Sequence, residues 1–267
     1  MKHYWLLAPA AAVFAAFWLL PIARLSLVGA SGPDGIAAYA AVVTHPAYFR
    51  SLVSTLALSG AVTAATLVIA SIAGLFLSRN KFPGRAFVTA MLTFPLAFPG
   101  VVVGFMVILL AGRQGLIGQV SQWLTGENLV FAYSMAGLFL GYLYFSIPRV
   151  ILTVMAAAEK LDPKLEEAAR SLGAPPWRVV VDVLIPGLKP ALISAGAICF
   201  ATAMGAFGTA FTLATRINVL PITIYTEFTN YANFSTAAAL SIVLGVLTWL
   251  VLNLARTFAG STVAAAA

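Results

Sequence analysis

Chemistry needs groups that give, take or hold charge, and this 267-residue chain has few of them. His3 and His45 are its only histidines, and neither belongs to an HExxH pattern, which excludes that zinc-peptidase chemistry. Histidines do not cluster with carboxylates and cysteines do not cluster at all, so no metal site is expected. Cys199 stands alone in an apolar run, where a thiol serves as a small hydrophobe, and it has no disulfide partner in the chain. The sequence has no GxxxxGK[ST] loop, so the chain cannot hydrolyse ATP through that device. It is expected to be no enzyme and to carry no cofactor of its own. The remaining candidates are charges set in apolar sequence, the usual mark of a substrate path through a membrane. Arg149 follows Pro148 in "YFSIPRV"; it either lines a cavity or snorkels to the cytoplasmic surface, and snorkelling is favoured. Glu227 and Arg216 lie between the last two apolar runs. There Glu227 is either a carboxylate for a cationic cargo or a solvated loop residue. Tyr142, Tyr144, Phe145, Tyr225 and Tyr231 either line a passage or anchor helix ends at the interfaces.

The elements that must position these residues are set by hydropathy. The chain is 61% hydrophobic and only 9% charged, far below the quarter or so charged residues of a soluble domain. Apolar runs of about 20 residues recur along it, the length a helix needs to cross a bilayer. The expected fold class is all-α, a polytopic membrane protein of about six transmembrane helices. The spans are expected at Tyr4–Val28, Leu52–Leu77, Ala86–Ala111, Leu129–Ala157, Ala191–Ala214 and Thr236–Leu254, with boundaries good to about 2–4 residues. The fourth exceeds what a bilayer needs, so it should tilt or project into the cytoplasm. The first has the basic start of a signal peptide, but its apolar stretch is longer than the roughly 7–15 residues of such a segment, so an uncleaved span is expected. One transmembrane domain, 1–267, is expected: a first span and outer loop (1–50), a core (51–257) and, within the core, a cytoplasmic loop (159–189).

Orientation follows from the basic residues. Lys2, Arg79, Lys81, Arg85, Lys160, Lys164, Arg170, Arg178, Lys189 and Arg256 fall on one side; Arg24, Arg50, Arg113 and Arg216 fall on the other. The positive-inside rule places the first set and both termini in the cytoplasm. The net charge of +7 is therefore a topology signal, and no nucleic-acid partner is expected. Within the third span, "FPLAFPGVVVGF" sets Pro95, Pro99 and Gly100 where lipid could not satisfy the freed carbonyls. This stretch should face other helices or a translocation path. Gly100 with Gly104, and Gly137 with Gly141, have the spacing that lets helices pack closely, and plain packing is their expected use.

One stretch reads as an amphipathic helix in water. Asp162 is a good N-cap, Pro163 fits the first turn, and Gly173 is placed to end the helix. Some 10 residues span roughly 15 Å. Leu161, Leu165, Ala168, Ala169 and Leu172 share one face, and Glu166, Glu167 and Arg170 occupy the flank and the opposite face. Such a helix either docks in a groove on a partner or lies on lipid or on its own spans. The "APP" after Gly173 should break the chain, with Pro186 and Pro190 punctuating its return to the membrane.

"EAARSLG" at Glu167–Gly173, followed nine residues later by "VLIP" at Val183–Pro186, resembles the EAA loop of ABC importer permeases. Val183 and Ile185 stand where that pattern has Ile and Leu. "FRSLVSTLALSGAVTAATLVIASIAGLFLSR", "TAMGAFG" and "LPITIYTEF" resemble the branch importing polyamines, sulfate, molybdate, ferric iron and phosphonates. Ala206 replaces the acid of a GEFG-like stretch there, so no role of that acid carries over. The resemblance implies a permease subunit in the bacterial inner membrane. It would move a small polar solute, polyamine or aminophosphonate-like, by alternating access. Implied partners are two cytoplasmic ATPase subunits holding ATP and magnesium, a second related or identical permease, an extracytoplasmic solute-binding protein and the lipid bilayer. Glu167, Ala168, Ala169, Leu172, Gly173 and Pro186 would couple to the ATPase. The competing expectations are a gradient-driven transporter or channel working without an ATPase, and an intramembrane enzyme. The first would need buried ion-coupling carboxylates or a repeated half, and neither is clear in the spans.

Overall fold

The structure, a computed structural model, describes residues 8–33, 35–213 and 217–259. Lys2, His3, Tyr4, Ala214 and Arg216 lie outside them. All regular elements among the described residues are helical. They are α1 (Ala8–Gly29), α2 (Ala37–Thr44), α3 (Pro46–Arg79), α4 (Arg85–Met91), α5 (Gly100–Ala111), α6 (Leu116–Thr125), α7 (Met135–Ala158), α8 (Pro163–Ser171), α9 (Pro176–Gly205), α10 (Gly208–Leu213), α11 (Leu220–Tyr225) and α12 (Phe234–Ala259). Among the described residues, six stretches are long and apolar enough to cross a membrane: α1, α3, Gly100–Thr125, α7, α9 and α12.

Six spans were expected, but the second begins at Pro46 rather than Leu52, the sixth ends at Ala259 rather than Leu254, and the third, fourth and fifth also have different limits. The third expected span is broken. After α4, a 3₁₀ turn at Phe94–Ala97 leads to Pro99, which is extended at φ −62°, ψ 149°, and α5 starts anew at Gly100. Proline lacks the N–H that would continue the ladder, so the chain restarts there. The membrane-length stretch then runs on through α6. The fourth span starts at Met135 rather than Leu129, because residues 131 and 132 have another task. Their backbone N–H groups donate to the Ala111 carbonyl at 3.1 and 3.0 Å, closing the end of α5, and Ser134 caps α7. At 24 residues α7 has no excess length; α3, at 34 residues, is the long helix.

The fifth span begins earlier than expected, at Pro176, and passes through both prolines to Gly205. The turns at Val179–Leu184 are π-helical, with Ile185 N–H reaching back to the Val180 carbonyl. Widening the helix just before Pro186 relieves the clash between a proline ring and the carbonyl four residues earlier.

The chain packs as two units, Met1–Thr55 with Asn218–Leu247, and Leu56–Ile217 with Thr248–Ala267. In the first, the Tyr39 hydroxyl donates to the Ser26 carbonyl at 2.7 Å, Ser235 Oγ donates to the Gly29 carbonyl at 3.0 Å, and Leu220 N–H donates to Thr55 Oγ1 at 2.7 Å. These bonds tie α1, α2, α3, α11 and α12 around a core of Val42, Leu220 and Leu240. In the second, Val103, Leu138, Val154, Leu188, Met204 and Leu213 are buried. Here α10 lies against α5. A Cβ placed on Gly104 would come within 2.6 Å of Thr212 Cβ, so this contact requires glycine.

Candidate functional site

The sequence places its candidate chemistry on α8, at the start of α5, on α7 and after α11. On α8, Asp162 caps the helix by accepting from Lys164 N–H at 3.0 Å, and Pro163 takes the first turn. The far end closes in a full Schellman motif. Gly173 N–H donates to the Arg170 carbonyl at 2.9 Å and Ala174 N–H to the Ala169 carbonyl at 3.1 Å. Gly173 adopts φ +83°, the left-handed region glycine enters without penalty.

The exposure of α8 corrects its sequence reading. Glu166 is the buried residue of this helix, whereas Leu165 is exposed and Leu172 is 89% exposed. Glu167 and Ala168 are exposed and Ala169 half-buried. Facing Glu166 is Arg79 at the end of α3, whose guanidinium lies 2.7 Å from the Glu166 carboxylate. The two meet at ion-pair distance without hydrogen-bond alignment. Arg170 reaches the other Glu166 oxygen at 3.9 Å, the i,i+4 spacing seen in the sequence. The apolar side chains of α8 therefore point away from the chain, with Trp177 also exposed at the start of α9. Pro186 is exposed farther along α9.

At the α5 junction, Pro95 is half-buried, Pro99 exposed and Gly100 half-buried. The first carbonyls of α5 are reached from α10: Thr209 Oγ1 donates to the Gly100 carbonyl at 2.9 Å and Thr212 Oγ1 to the Val101 carbonyl at 3.3 Å. Thr209 also packs on α7, where a Cβ on Gly141 would meet its methyl at 2.7 Å. These threonines tie the first turn of α5 to α10; at the break itself the Pro95 carbonyl accepts from Phe98 N–H at 3.3 Å and Pro99 stays exposed. Arg149 is exposed on α7 and donates to Thr202 Oγ1 of α9 at 3.3 Å. Tyr142 is buried, and its hydroxyl donates to the Ala206 carbonyl where α9 ends, so it holds that break rather than lining an open passage.

Glu227 belongs to the other unit and is 8% exposed, which rules out a solvated loop residue. It sits in a π-helical turn, Thr226–Asn230, that continues α11. The Tyr48 hydroxyl donates to one carboxylate oxygen at 2.9 Å and Asn233 Nδ2 to the other at 3.2 Å. The His45 ring lies tilted against Tyr48, with centroids 4.6 Å apart and planes 34° apart. Among the described residues no three His, Cys, Asp or Glu side chains gather as a metal site. Reasoning from sequence did not find Arg79, Thr209, Thr212 or Tyr48. Each acts on a partner distant in the chain, which spacing within one element cannot reveal.

Residues 66–261, with the α8 loop and the α5–α10 junction among them, match the family described as binding-protein-dependent transport system inner membrane component. The chain belongs to this family. It is 35% identical over 172 residues to the molybdenum transport system permease protein ModB of Escherichia coli K12, covering 62% of this chain and 74% of that one. Over 264 residues it is 29% identical to the putative 2-aminoethylphosphonate transport system permease protein PhnU of Salmonella typhi, covering 97% and 91%. It is 32% identical to chloroplastic sulfate permease 2 of Chlamydomonas reinhardtii, spanning 77% of this chain but about half, 55%, of that protein. Its fold matches a chain in the crystal structure of a bacterial alginate ABC transporter in complex with an alginate pentasaccharide-bound periplasmic protein. The TM-score is 0.82 at 18% identity, over 95% of this chain and 92% of that one. The inner membrane component is accordingly a multi-pass, all-helical membrane protein of a transport family, not a family of catalysts.

Proposed function

We propose that the chain is the membrane-spanning permease subunit of an ATP-driven, binding-protein-dependent importer, with α8 as its contact to a cytoplasmic ATPase. The observation that carries this is the outward apolar face of α8, Leu165, Ala168 and Leu172, within the family-matched region. Fully covering a leucine contributes about 1.5–3 kcal/mol, so two exposed leucines on a capped helix suit a groove on a soluble partner. Glu167 is free to make a polar contact at the rim, and the small Ala168 lets the partner approach closely. Two ATPase subunits holding ATP and magnesium close and open, and α8 carries that displacement to the spans, which switch between inward- and outward-open states. A second permease, identical or related, completes the passage, and an extracytoplasmic binding protein delivers the solute. The distribution of basic residues supports a cytoplasmic position for α8 and both termini in a bacterial inner membrane.

The names of the relatives favour an oxyanion or phosphonate cargo, which is the aminophosphonate side of the expectation from sequence. The start of α5, with Pro95, Pro99 and Gly100, and Arg149 on α7 are the proposed lining of the path, with Glu227 a further candidate. Gentle co-purification from native membranes, with mass spectrometry of the bound chains, tests the reading. The expected result is an ATPase with a phosphate loop, a second permease copy or paralogue and a solute-binding protein. The last can then be screened against sulfate, molybdate and aminophosphonates. Recovery of the chain alone, active in gradient-driven uptake, would overturn the proposal.

A further inference from the structure

A nine-residue helix that turns its leucines outward and a glutamate inward reverses the order hydrophobic burial imposes. Among the residues of α8 only Glu166 is buried, so apolar packing does not set the roll of the helix. Charge does. The inward Glu166 has Arg79 at 2.7 Å on one oxygen and Arg170 at 3.9 Å on the other. Arg79 is the last residue of α3, and the corner that follows it makes a second grip. Arg85 Nη2 lies 3.0 Å from Glu159 Oε1, at the end of α7, while Arg85 Nε donates to the Leu77 carbonyl of α3 at 2.7 Å. Residues 77–85 therefore hold the 159–171 segment on both sides of its cap, Asp162. Between the grips Leu161 seats on α9, where a Cβ on Gly187 would come within 2.9 Å of its side chain.

We propose that Arg79 is a positioning residue that sets the roll of α8 through Glu166, with the Arg85–Glu159 pair fixing the root of the segment. Leu165, Ala168 and Leu172 face outward because Glu166 is drawn inward. Without Arg79 the mostly covered Glu166 carboxylate keeps only the more distant Arg170, so loss of Arg79 favours turning Glu166 out and Leu165 in. The consequence for transport rests on the importer reading: α3 then feels a displacement of α8 directly through the Arg79–Glu166 pair. The roll itself does not depend on that reading.

The test uses the full chain in membranes, with Cys199→Ala and Leu165→Cys, labelled by a charged maleimide. Arg79→Gln is expected to slow labelling about fivefold, the order expected for a partly exposed ion pair. Glu166→Gln, which keeps the side-chain shape, serves equally if the arginine variant does not insert. The exchange Arg79→Glu with Glu166→Arg restores the rate, while Arg79→Glu alone does not. In the reconstituted complex, cargo moved per ATP hydrolysed falls in the single variants and recovers in the exchange. Unchanged labelling in both single variants, or no recovery in the exchange, overturns the positioning role. Altered and rescued labelling in a chain that shows no ATP-driven uptake even without substitutions overturns the importer reading and leaves the positioning role standing.

Discussion

Gly173 and Glu227 show how much a single residue can decide. A β-branched residue at Gly173 must take φ near +83°, which costs an L-residue roughly 1–2 kcal/mol although nothing lies within 4 Å of its Cβ. Gly173→Val is therefore expected to insert normally but abolish uptake, and Gly173→Asn to retain much of it, because asparagine enters the left-handed region more readily. Vesicle uptake beside a membrane-fraction blot checks both. Uptake by the valine variant at the unsubstituted rate would sink the coupling assignment. Glu227→Ala strands the Tyr48 hydroxyl and the Asn233 amide, at about 1–3 kcal/mol, and should lower the midpoint of thermal unfolding in detergent. Glu227→Gln, which keeps one acceptor, should lower it less. The caps of α8 were legible because Asp, Pro and Gly act on their own backbone. The direction of Glu166 was not legible, because a helical wheel assigns acids to water and cannot see an arginine on another helix.

Among the elements, the junction of α5 and α10 makes the sharpest prediction. Gly104→Ala pushes a methyl into Thr212 and should destabilise by about 1–3 kcal/mol, as overpacking does. Gly245→Ala, in α12 with no atom within 4 Å of its Cβ, should leave the purified chain unchanged or stabilise it by about 0.5–1 kcal/mol. A lower unfolding midpoint for Gly104→Ala alone is the expected result; equal shifts would mean that α5 and α10 do not meet as described. The number of spans could be read from hydropathy, since each apolar run must hide its backbone from lipid. Their limits could not. The third was expected as one helix although its own prolines mark the break, and the second half, α6, carries enough polar residues to fall outside the apolar run. The fifth was expected to start after Pro190. Instead a π turn absorbs the prolines, a geometry that local sequence does not announce.

For the whole molecule, family membership, the multi-pass helical fold and the transport class were all within reach of the sequence. The α8 motif and the spans together outweigh any one feature. The cargo was not, because the few charges set among the apolar runs do not define one class of solute. The outward face of α8 bears on the cell as well as on transport. Leu172, Leu165 and Trp177 are exposed, and the proposed ATPase would cover them. Bare leucines on a short, water-facing helix are what chaperones and proteases seize. A newly made copy is thus expected to be short-lived, and its lifetime to lengthen severalfold when the ATPase is supplied alongside. Pulse-chase with and without the ATPase measures this. Supply of the soluble subunit would then set how many transporters a membrane keeps, whatever the rate at which this chain is synthesised.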